Sequence, residues 1–415
     1  MHLYYWPLIF ALAGLALYTV LGGADFGAGI WQLTAGSGER GERIRDHAHE
    51  SMAPVWEANH VWLVFVLTVV WTAYPVFFGS VASTLAIPLF IAAVGIILRG
   101  AAYALRGGAR TPGELRSIDM ISSISSILTP FALGTAVGGI ASGRVPVGNA
   151  AGDLFSSWLN PTSILIGVLA VATSAYLAAV YLSADAVRLG EADLEREFRA
   201  RALIAGALAG ALAVGGLAVL HGDAHRLFVG LTAGDGLPAL VVSAGAGIIA
   251  LALVWRSRFE LARYVAALAV AAIIAGWALA QKPEMLPGLT VRQAAAGHDA
   301  LVVVVVSVLA GGAILFPSLA LLFRLLLKGR FDPGATGPSS QRPVPASLLR
   351  ASAAGLTARA AGGCLLAGVG LLTIATAPWA HAVGVASLFG FIVLGFLAVA
   401  PAELARAAPE EDRHP

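Results

Sequence analysis

Long apolar runs separated by short polar segments recur along the whole chain. Eleven of them are long enough to cross the hydrocarbon core of a bilayer, which takes about 20 residues of helix. The predicted spans cover approximately 7–33, 54–74, 77–99, 118–141, 160–184, 202–220, 238–255, 261–280, 299–327, 354–376 and 381–401. Because runs of this length are typical of helices that satisfy their own backbone groups in lipid, the pattern predicts an all-α polytopic membrane protein.

The composition supports this membrane assignment. Of the 415 residues, 58% are hydrophobic and 12% are charged, whereas a soluble domain has roughly 25% charged residues. The N-terminal segment has no basic stretch, and its apolar run is longer than that of a cleaved signal, so we interpret it as the first span. Cys364 is the one cysteine, which excludes a disulfide framework and a thiolate metal site.

The basic residues are distributed unevenly between the connections. With the N-terminus outside, 22 of the 26 Lys and Arg residues fall in predicted cytoplasmic segments. The four others are Arg144, Arg226, Lys282 and Arg292. Since positive residues concentrate on the cytoplasmic side of a membrane, the sequence predicts an outside N-terminus and a cytoplasmic C-terminus.

One polar stretch divides the chain. Residues 331–353 are rich in Pro, Gly and Ser, a composition typical of a flexible linker. We expect this cytoplasmic linker to separate a nine-helix membrane domain at 1–330 from a two-helix membrane extension with a short tail at 354–415.

Ionisable residues inside membrane spans are costly to bury, so each of them is a candidate functional group. Asp25 lies between glycines in the first span, ~12 Å from its cytoplasmic end. Glu57 and His60 share one helix face at the start of the second span, and Asp119 begins the fourth. These carboxylates and this imidazole predict a proton pathway on the cytoplasmic side. Two alternatives stay open: the helix-end charges are interface anchors, and His60 is a packed core histidine.

The sequence predicts no metal or haem bound by this chain. His221, Asp223 and His225 form a His-x-Asp-x-His pattern, but it lies on a predicted outer loop without a further defined ligand. The intramembrane histidines do not lie at the matched depths that a membrane haem requires, and the chain has no CxxCH motif.

Two motifs resemble those of subunit II of the cytochrome bd-type quinol oxidases. Gly-Ala-Asp-Phe-Gly-Ala-Gly at 23–29 is similar to the family pattern GFDxG, and Pro-Val-Trp-Glu-Ala-Asn-His-Val-Trp-Leu at 54–63 is similar to PxWDGNxxWL. Further similarity lies in Leu-Arg at 98–99, Gly-Arg-Val-Pro at 143–146 and Leu-Asn-Pro at 159–161. The resemblance extends to about residue 330.

The chain departs from the family pattern at four places, one of which is Gly22, near where many members carry another Asp. Glu57 stands where the family has Asp, which keeps the carboxylate, and Ala58 stands where it has Gly. Family members usually end after nine spans, whereas two more are predicted here. The two extra spans therefore leave open how the partner subunit packs against this chain.

The resemblance implies a complex in the bacterial plasma membrane that oxidises quinol and reduces O2 to water. Two haems b and one haem d are then carried by a haem-bearing subunit I, and subunit II binds none. Subunit II would contribute scaffold, half of a heterodimer and part of the cytoplasmic proton supply through Asp25 and Glu57. Because some members hold a structural quinone, Trp56, Asn59 and Trp62 are candidate quinone or structural contacts.

Two other functions fit the same residues. A stand-alone proton-coupled transporter would use the same buried carboxylates, although transporters often contain paired repeats and none is visible here. A purely structural assembly subunit would use them for packing alone.

Overall fold

The computed structural model describes residues 2–106, 108, 111–327, 354–374 and 377–399. Within these helices, some side chains lie outside the described part, namely those at 53–58, 112, 316, 319–327, 354–358, 369, 372–374, 378, 381 and 395–399. The predicted linker at 331–353 also lies outside the described residues.

Helices account for nearly all of the described chain. They are α1 (Trp6–Leu33), α2 (Glu39–Ala73), α3 (Pro75–Thr84), α4 (Ala86–Arg106), α5 (Pro112–Ala141), α6 (Pro161–Leu189), α7 (Ala192–Asp223), α8 (His225–Thr232), α9 (Leu237–Trp255), α10 (Phe259–Gln281), α11 (Val291–Ala294), α12 (His298–Leu327), α13 (Ala354–Ile374) and α14 (Pro378–Val399). A 3₁₀ turn, Leu3–Tyr5, precedes α1. The exception to the predicted all-α fold is an antiparallel hairpin of β1 (Glu284–Leu286) and β2 (Leu289–Thr290).

Eight of the described helices are long and apolar enough to cross a membrane: α1, α4, α5, α6, α7, α9, α10 and α12. Shorter apolar segments lie at Asn59–Ala73 in α2 and at Ala382–Leu394 in α14. The protein is therefore a polytopic helical membrane protein.

The predicted span at 77–99 is wrong in its boundaries. The chain breaks at Leu85, where α3 ends and α4 begins, and α4 continues to Arg106. Pro88 explains the break, because its ring would clash with the carbonyl group of Thr84 in a continuous helix and it has no N–H to donate there. Pro88 instead lies in the first turn of α4, where its missing N–H costs little.

The ends of α5 and α6 are fixed by local hydrogen bonds. Thr111 and Glu114 form a reciprocal capping box at the start of α5, with Glu114 N donating to Thr111 Oγ1 at 3.2 Å. Asn160 caps α6 by accepting from Ser163 N at 2.9 Å. α6 ends at Gly190, whose φ of 74° is a left-handed conformation that glycine adopts without strain.

α1 lies at the centre of the N-terminal part of the bundle and packs on α2, α5 and α6. α4 packs on α5, and α7 packs on α6. The close approach of α1 and α6 depends on Gly27, since a Cβ atom there would overlap the backbone of Ser174.

The contacts divide the chain into two units, Met1–Ala320 and Leu321–Pro415. In the second unit, α13 and α14 pack against each other. Gly368 faces Leu388 across this contact, and Cys364 is half-buried with its Sγ atom 3.3 Å from the position of a Cβ atom at Gly390. The cysteine therefore serves as a small packing residue.

Candidate functional site: a buried ion pair

The end of the bundle where α1, α4 and α6 terminate is rich in arginine. We call it the arginine-rich end and define it by Arg40, Arg43, Arg45, Arg106 and Arg188. Arg43 pairs with Glu191 at 2.6 Å, so the start of α2 is tied to the turn between α6 and α7.

Asp25 is carried by the most completely buried segment of α1. All residues from Gly22 to Gly29 are buried, and Asp25 is 0% exposed. Small residues allow this segment to approach its neighbours: a Cβ atom at Gly29 would overlap Ser126 Oγ and lie 2.9 Å from Arg99 Nη1. The carboxylate therefore faces protein where helices meet.

Arg99 of α4 holds this carboxylate with a bidentate ion pair. Its Nη2 atom lies 2.5 Å from Asp25 Oδ1, and its Nε atom donates to Asp25 Oδ2 at 3.0 Å. Nη2 also donates to the backbone oxygen of Asp25 at 2.7 Å. Parallel charge-assisted bonds of this kind are the strong ones, and they offset the desolvation of two side chains that are 6% and 1% exposed.

The remaining surface of the Arg99 guanidinium is also occupied. Nη1 donates to Ser126 Oγ and, at 3.4 Å, to Ser122 Oγ, both on α5. The guanidinium carbon lies 5.5 Å from the ring centroid of Phe26, a cation–π contact. The ion pair thus joins α1, α4 and α5.

Asn59 of α2 completes the group. Its Nδ2 atom donates to Asp25 Oδ2 at 3.2 Å, and the side chain is 0% exposed. Because this donor is used by Asp25, the amide faces the ion pair.

A second polar layer lies nearer the arginine-rich end. Arg106, two helical turns beyond Arg99, places its Nε atom 3.2 Å from Asp119 Oδ1 and its Nη2 atom 3.2 Å from Asp46 Oδ1. Asp119 precedes Ser122 by three residues, so the two lie on one face of α5. The two layers are therefore connected along α4 and α5.

His49 borders the second layer from α2. Its ring lies 4.7 Å from the ring of Tyr103, centroid to centroid. Burial, together with the positive charges of Arg106 and Arg99, lowers the pKa of His49 to about 4. The imidazole is therefore neutral at physiological pH.

The other predicted site residues lie on α2. The backbone of 53–58 continues this helix, but the side chains of Trp56 and Glu57 lie outside the described residues. His60 is half-buried. Trp62 is also half-buried and meets the ring of Phe65 edge-on at 6.0 Å.

Sequence reasoning places Arg99 at the cytoplasmic end of its span but does not pair it with Asp25, and it does not select Ser122 or Ser126. One available signal is that a carboxylate as deep as Asp25 needs a cation at matching depth. A second signal is the serine spacing on α5, which puts two hydroxyls on one face.

The described residues contain no group of three or more His, Cys, Asp or Glu side chains that could hold a metal ion. In the His-x-Asp-x-His pattern, Asp223 accepts from Arg144 Nη1 at 3.0 Å and Nη2 at 2.6 Å, and from Thr162 N at 3.0 Å. Its carboxylate is thus occupied by a structural contact.

The fold and this group define an integral membrane protein whose helical core is built around a buried ion pair. The family model of cytochrome bd terminal oxidase subunit II matches residues 1–326. The chain therefore belongs to the cytochrome bd terminal oxidase subunit II family, whose members are integral proteins of the bacterial plasma membrane.

Curated relatives support this membership. The chain is 25% identical over 224 residues to a putative cytochrome bd menaquinol oxidase subunit II of Bacillus subtilis (strain 168), with 52% of this chain and 62% of that protein covered. It is 26% identical over 207 residues to cytochrome bd-I ubiquinol oxidase subunit 2 of Escherichia coli (strain K12), with 47% and 51% covered. The matched region thus spans half to three fifths of these relatives.

A solved structure supports the fold. The structure of bd oxidase from Geobacillus thermodenitrificans contains a chain with a TM-score of 0.61 and 24% sequence identity, covering 79% of this chain and 99% of that chain. The shared helical arrangement therefore includes most of the N-terminal unit.

Proposed function

We propose that this chain is the non-haem subunit II of a bd-type terminal quinol oxidase. With a haem-bearing subunit I, it would couple the oxidation of quinol to the reduction of O2 to water. The observation that carries this proposal is the family match over residues 1–326. Haem b and haem d would belong to the partner subunit.

The proposed topology has eleven crossings, with the N-terminus outside and the C-terminus in the cytoplasm. Nine crossings would be α1, α2, α4, α5, α6, α7, α9, α10 and α12, and two would be α13 and α14. The uneven distribution of basic residues supports this orientation, which makes the arginine-rich end cytoplasmic. The first nine would form the oxidase domain at 1–330.

The proposed contribution of this chain to turnover is a scaffold and a cytoplasmic proton pathway. Asp119 is half-buried near the arginine-rich end, and the hydroxyls of Ser122 and Ser126 lead from it to Arg99. Asp25 would act as a fixed negative charge held by Arg99, with the hydroxyls providing the hydrogen bonds. Glu57 and His60 would contribute proton-carrying side chains to this pathway from α2.

A structural quinone is proposed to contact α2 through Trp56 and Trp62. Asn59 fits a structural role better, since its Nδ2 atom donates a hydrogen bond to Asp25 Oδ2 and its side chain is fully buried.

A reduced-minus-oxidised absorption spectrum of the tagged chain, gently purified from its own membranes, tests the main proposal. We expect bands of haem b and haem d, a co-purifying membrane subunit, and quinol-dependent O2 consumption. A colourless single chain from membranes without quinol oxidase activity would contradict it and favour the transporter.

Glu57→Gln tests the pathway within the assembled complex. We expect slower turnover with an unchanged haem spectrum, and Glu57→Asp should preserve most of the rate because it keeps a carboxylate. Glu39→Gln, at the exposed start of the same helix, is the matched control and should turn over normally. A normal rate for Glu57→Gln would remove Glu57 from the pathway.

A further inference from the structure

Three buried polar atoms around the ion pair have no hydrogen-bond partner among the described residues. They are Tyr18 Oη, Asn59 Oδ1 and Thr129 Oγ1. The side chains are 6%, 0% and 0% exposed, respectively. Leaving such an atom dry carries a desolvation cost, and buried water commonly satisfies groups of this kind.

One of the three residues touches the Asp25–Arg99 pair, and the other two lie one to two helical turns from it along α1 and α5. Asn59 is bonded to Asp25 directly. Tyr18 precedes Asp25 by seven residues, about 10 Å along α1 and away from the arginine-rich end. Its ring lies across Gly22, with Cε2 3.4 Å from the position of a Cβ atom there.

Thr129 extends the polar face of α5 in the same direction. It follows Ser126 by three residues, and its hydroxyl lies against Gly95, which precedes Arg99 by one turn of α4. A Cβ atom at position 95 would overlap this hydroxyl oxygen. Gly95 therefore leaves room for the Thr129 hydroxyl one turn beyond the ion pair.

The local chemistry of α5 makes this turn unusually polar. Ser126 and Thr135 return their hydroxyls to the backbone, at 2.6 Å from Ser122 O and 2.8 Å from Ala132 O, as is common in helices. Thr129 does not. Pro130 has no N–H to donate to the carbonyl oxygen of Ser126, and ordered water is one group that satisfies backbone atoms freed by proline in membrane helices.

We propose that these groups bind a short file of internal water molecules that extends the polar path past the Asp25–Arg99 pair toward the middle of the membrane. The proposal rests on the proposed proton pathway and lengthens it. Each water would accept a proton from one side and release one to the next, so the hydroxyls are unchanged after a transfer. Tyr18 and Thr129 are positioning residues in this file.

The test uses the whole complex in its own membranes, with Thr129→Val and Tyr18→Phe. Each variant removes a hydroxyl with little change of shape. We expect quinol-oxidase kcat to fall several-fold, with KM for quinol and the haem spectrum unchanged. Thr129→Ser should restore the rate.

Two matched variants control for packing. Thr135→Val removes a fully buried hydroxyl six residues further along α5 that is already bonded. Tyr176→Phe removes a buried, unpartnered hydroxyl whose ring packs against Gly206. Both should keep the wild-type rate.

Thermal stability supplies a readout that does not depend on activity. If the Thr129 hydroxyl holds water, Thr129→Val loses hydrogen bonds and Tm falls; if the site is dry, Tm stays equal or rises because an unsatisfied group is removed. A normal kcat, or a Tm that does not fall, would overturn the water file while leaving the oxidase proposal intact. Absence of quinol oxidation by the wild-type complex would instead refute the proposed function, and Tm would still report on the water.

Discussion

Arg99 of α4 forms a bidentate ion pair with the carboxylate of Asp25 on α1. Its Nη2 atom lies 2.5 Å from Oδ1, and its Nε atom lies 3.0 Å from Oδ2. α1 and α4 each pack on α5, and the ion pair connects them directly. Since both side chains are almost completely buried, neither charge has water as a substitute partner. The pair therefore fixes the arrangement of three helices.

Removal of either partner should be strongly destabilising. Asp25→Asn or Arg99→Gln leaves a buried charge without its counter-charge, which costs about 3–5 kcal/mol. The double variant should lose less than the sum of the two single losses, because no uncompensated charge remains. The free energy of unfolding of the purified protein, measured for all four forms, checks this expectation.

An exposed ion pair on the same protein is the matched control. Arg196 and Asp193 lie 2.5 Å apart with side chains 76% and 70% exposed. Arg196→Gln should change stability by less than about 1 kcal/mol. Equal effects of Arg99→Gln and Arg196→Gln would show that burial adds nothing to the first pair.

The glycine contact between α1 and α6 is a second stability determinant. In Gly27→Ala, the new Cβ atom would overlap the backbone oxygen of Ser174 and lie 2.6 Å from Ala178 Cβ. We expect a loss of about 1–3 kcal/mol, the usual range for overpacking. Gly210→Ala, where no atom lies within 4 Å of the new Cβ, should be neutral or stabilising, and thermal unfolding of the two variants compares them.

The helices and the candidate site differ in how far the sequence reveals them. Apolar runs locate the helices, because lipid leaves the backbone few other conformations. Asp25 is visible as a charge within such a run. Its partner is not, because an arginine at the end of a span looks the same whether it anchors the helix at the interface or, like Arg99, turns inward to a neighbour. Which of the two roles the arginine has depends on which helices pack together and at what relative depth. The local sequence specifies neither.

The role of Asn59 illustrates the same limit. The family resemblance suggested a quinone or structural contact, but only the packing of α2 on α1 reveals that its amide faces Asp25. The break between α3 and α4, in contrast, follows from a clash of Pro88 with the carbonyl of Thr84, which could have been predicted from the sequence.

A second hydrogen-bonded group lies at the end of the bundle opposite the arginine-rich end. We call it the Asp223 clamp and define it by Asp223, Arg144 and Thr162. Asp223 accepts two hydrogen bonds from Arg144 and others from Thr162, which joins α7, α6 and the loop after α5. Asp223→Asn should cost about 1.5–3 kcal/mol, the range for hydrogen bonds to charged groups. Asp235→Asn, in an exposed turn, should leave the unfolding free energy unchanged; equal losses in both variants would argue against the clamp.

His49 should make stability depend on pH. Burial and the charges of Arg106 and Arg99 lower its pKa from near 6.5 to about 4 in the folded protein, whereas in the unfolded chain it stays near 6.5. Between these values the unfolded state binds a proton that the folded state does not. The contribution of the neutral His49 side chain to the free energy of unfolding is therefore complete above pH 6.5 and is lost as the pH falls toward 4.

The change His49→Phe should flatten this dependence, because phenylalanine keeps a ring against Tyr103 and does not titrate. We expect its Tm to fall less steeply than that of the wild type between pH 6.5 and pH 4, with the largest difference near the lower limit. His225→Phe, which replaces an exposed ring at the opposite end, should follow the wild-type slope. If His49→Phe also follows it, the proton that destabilises the folded state binds elsewhere, and the half-buried imidazole of His49 is not the group that makes stability depend on pH.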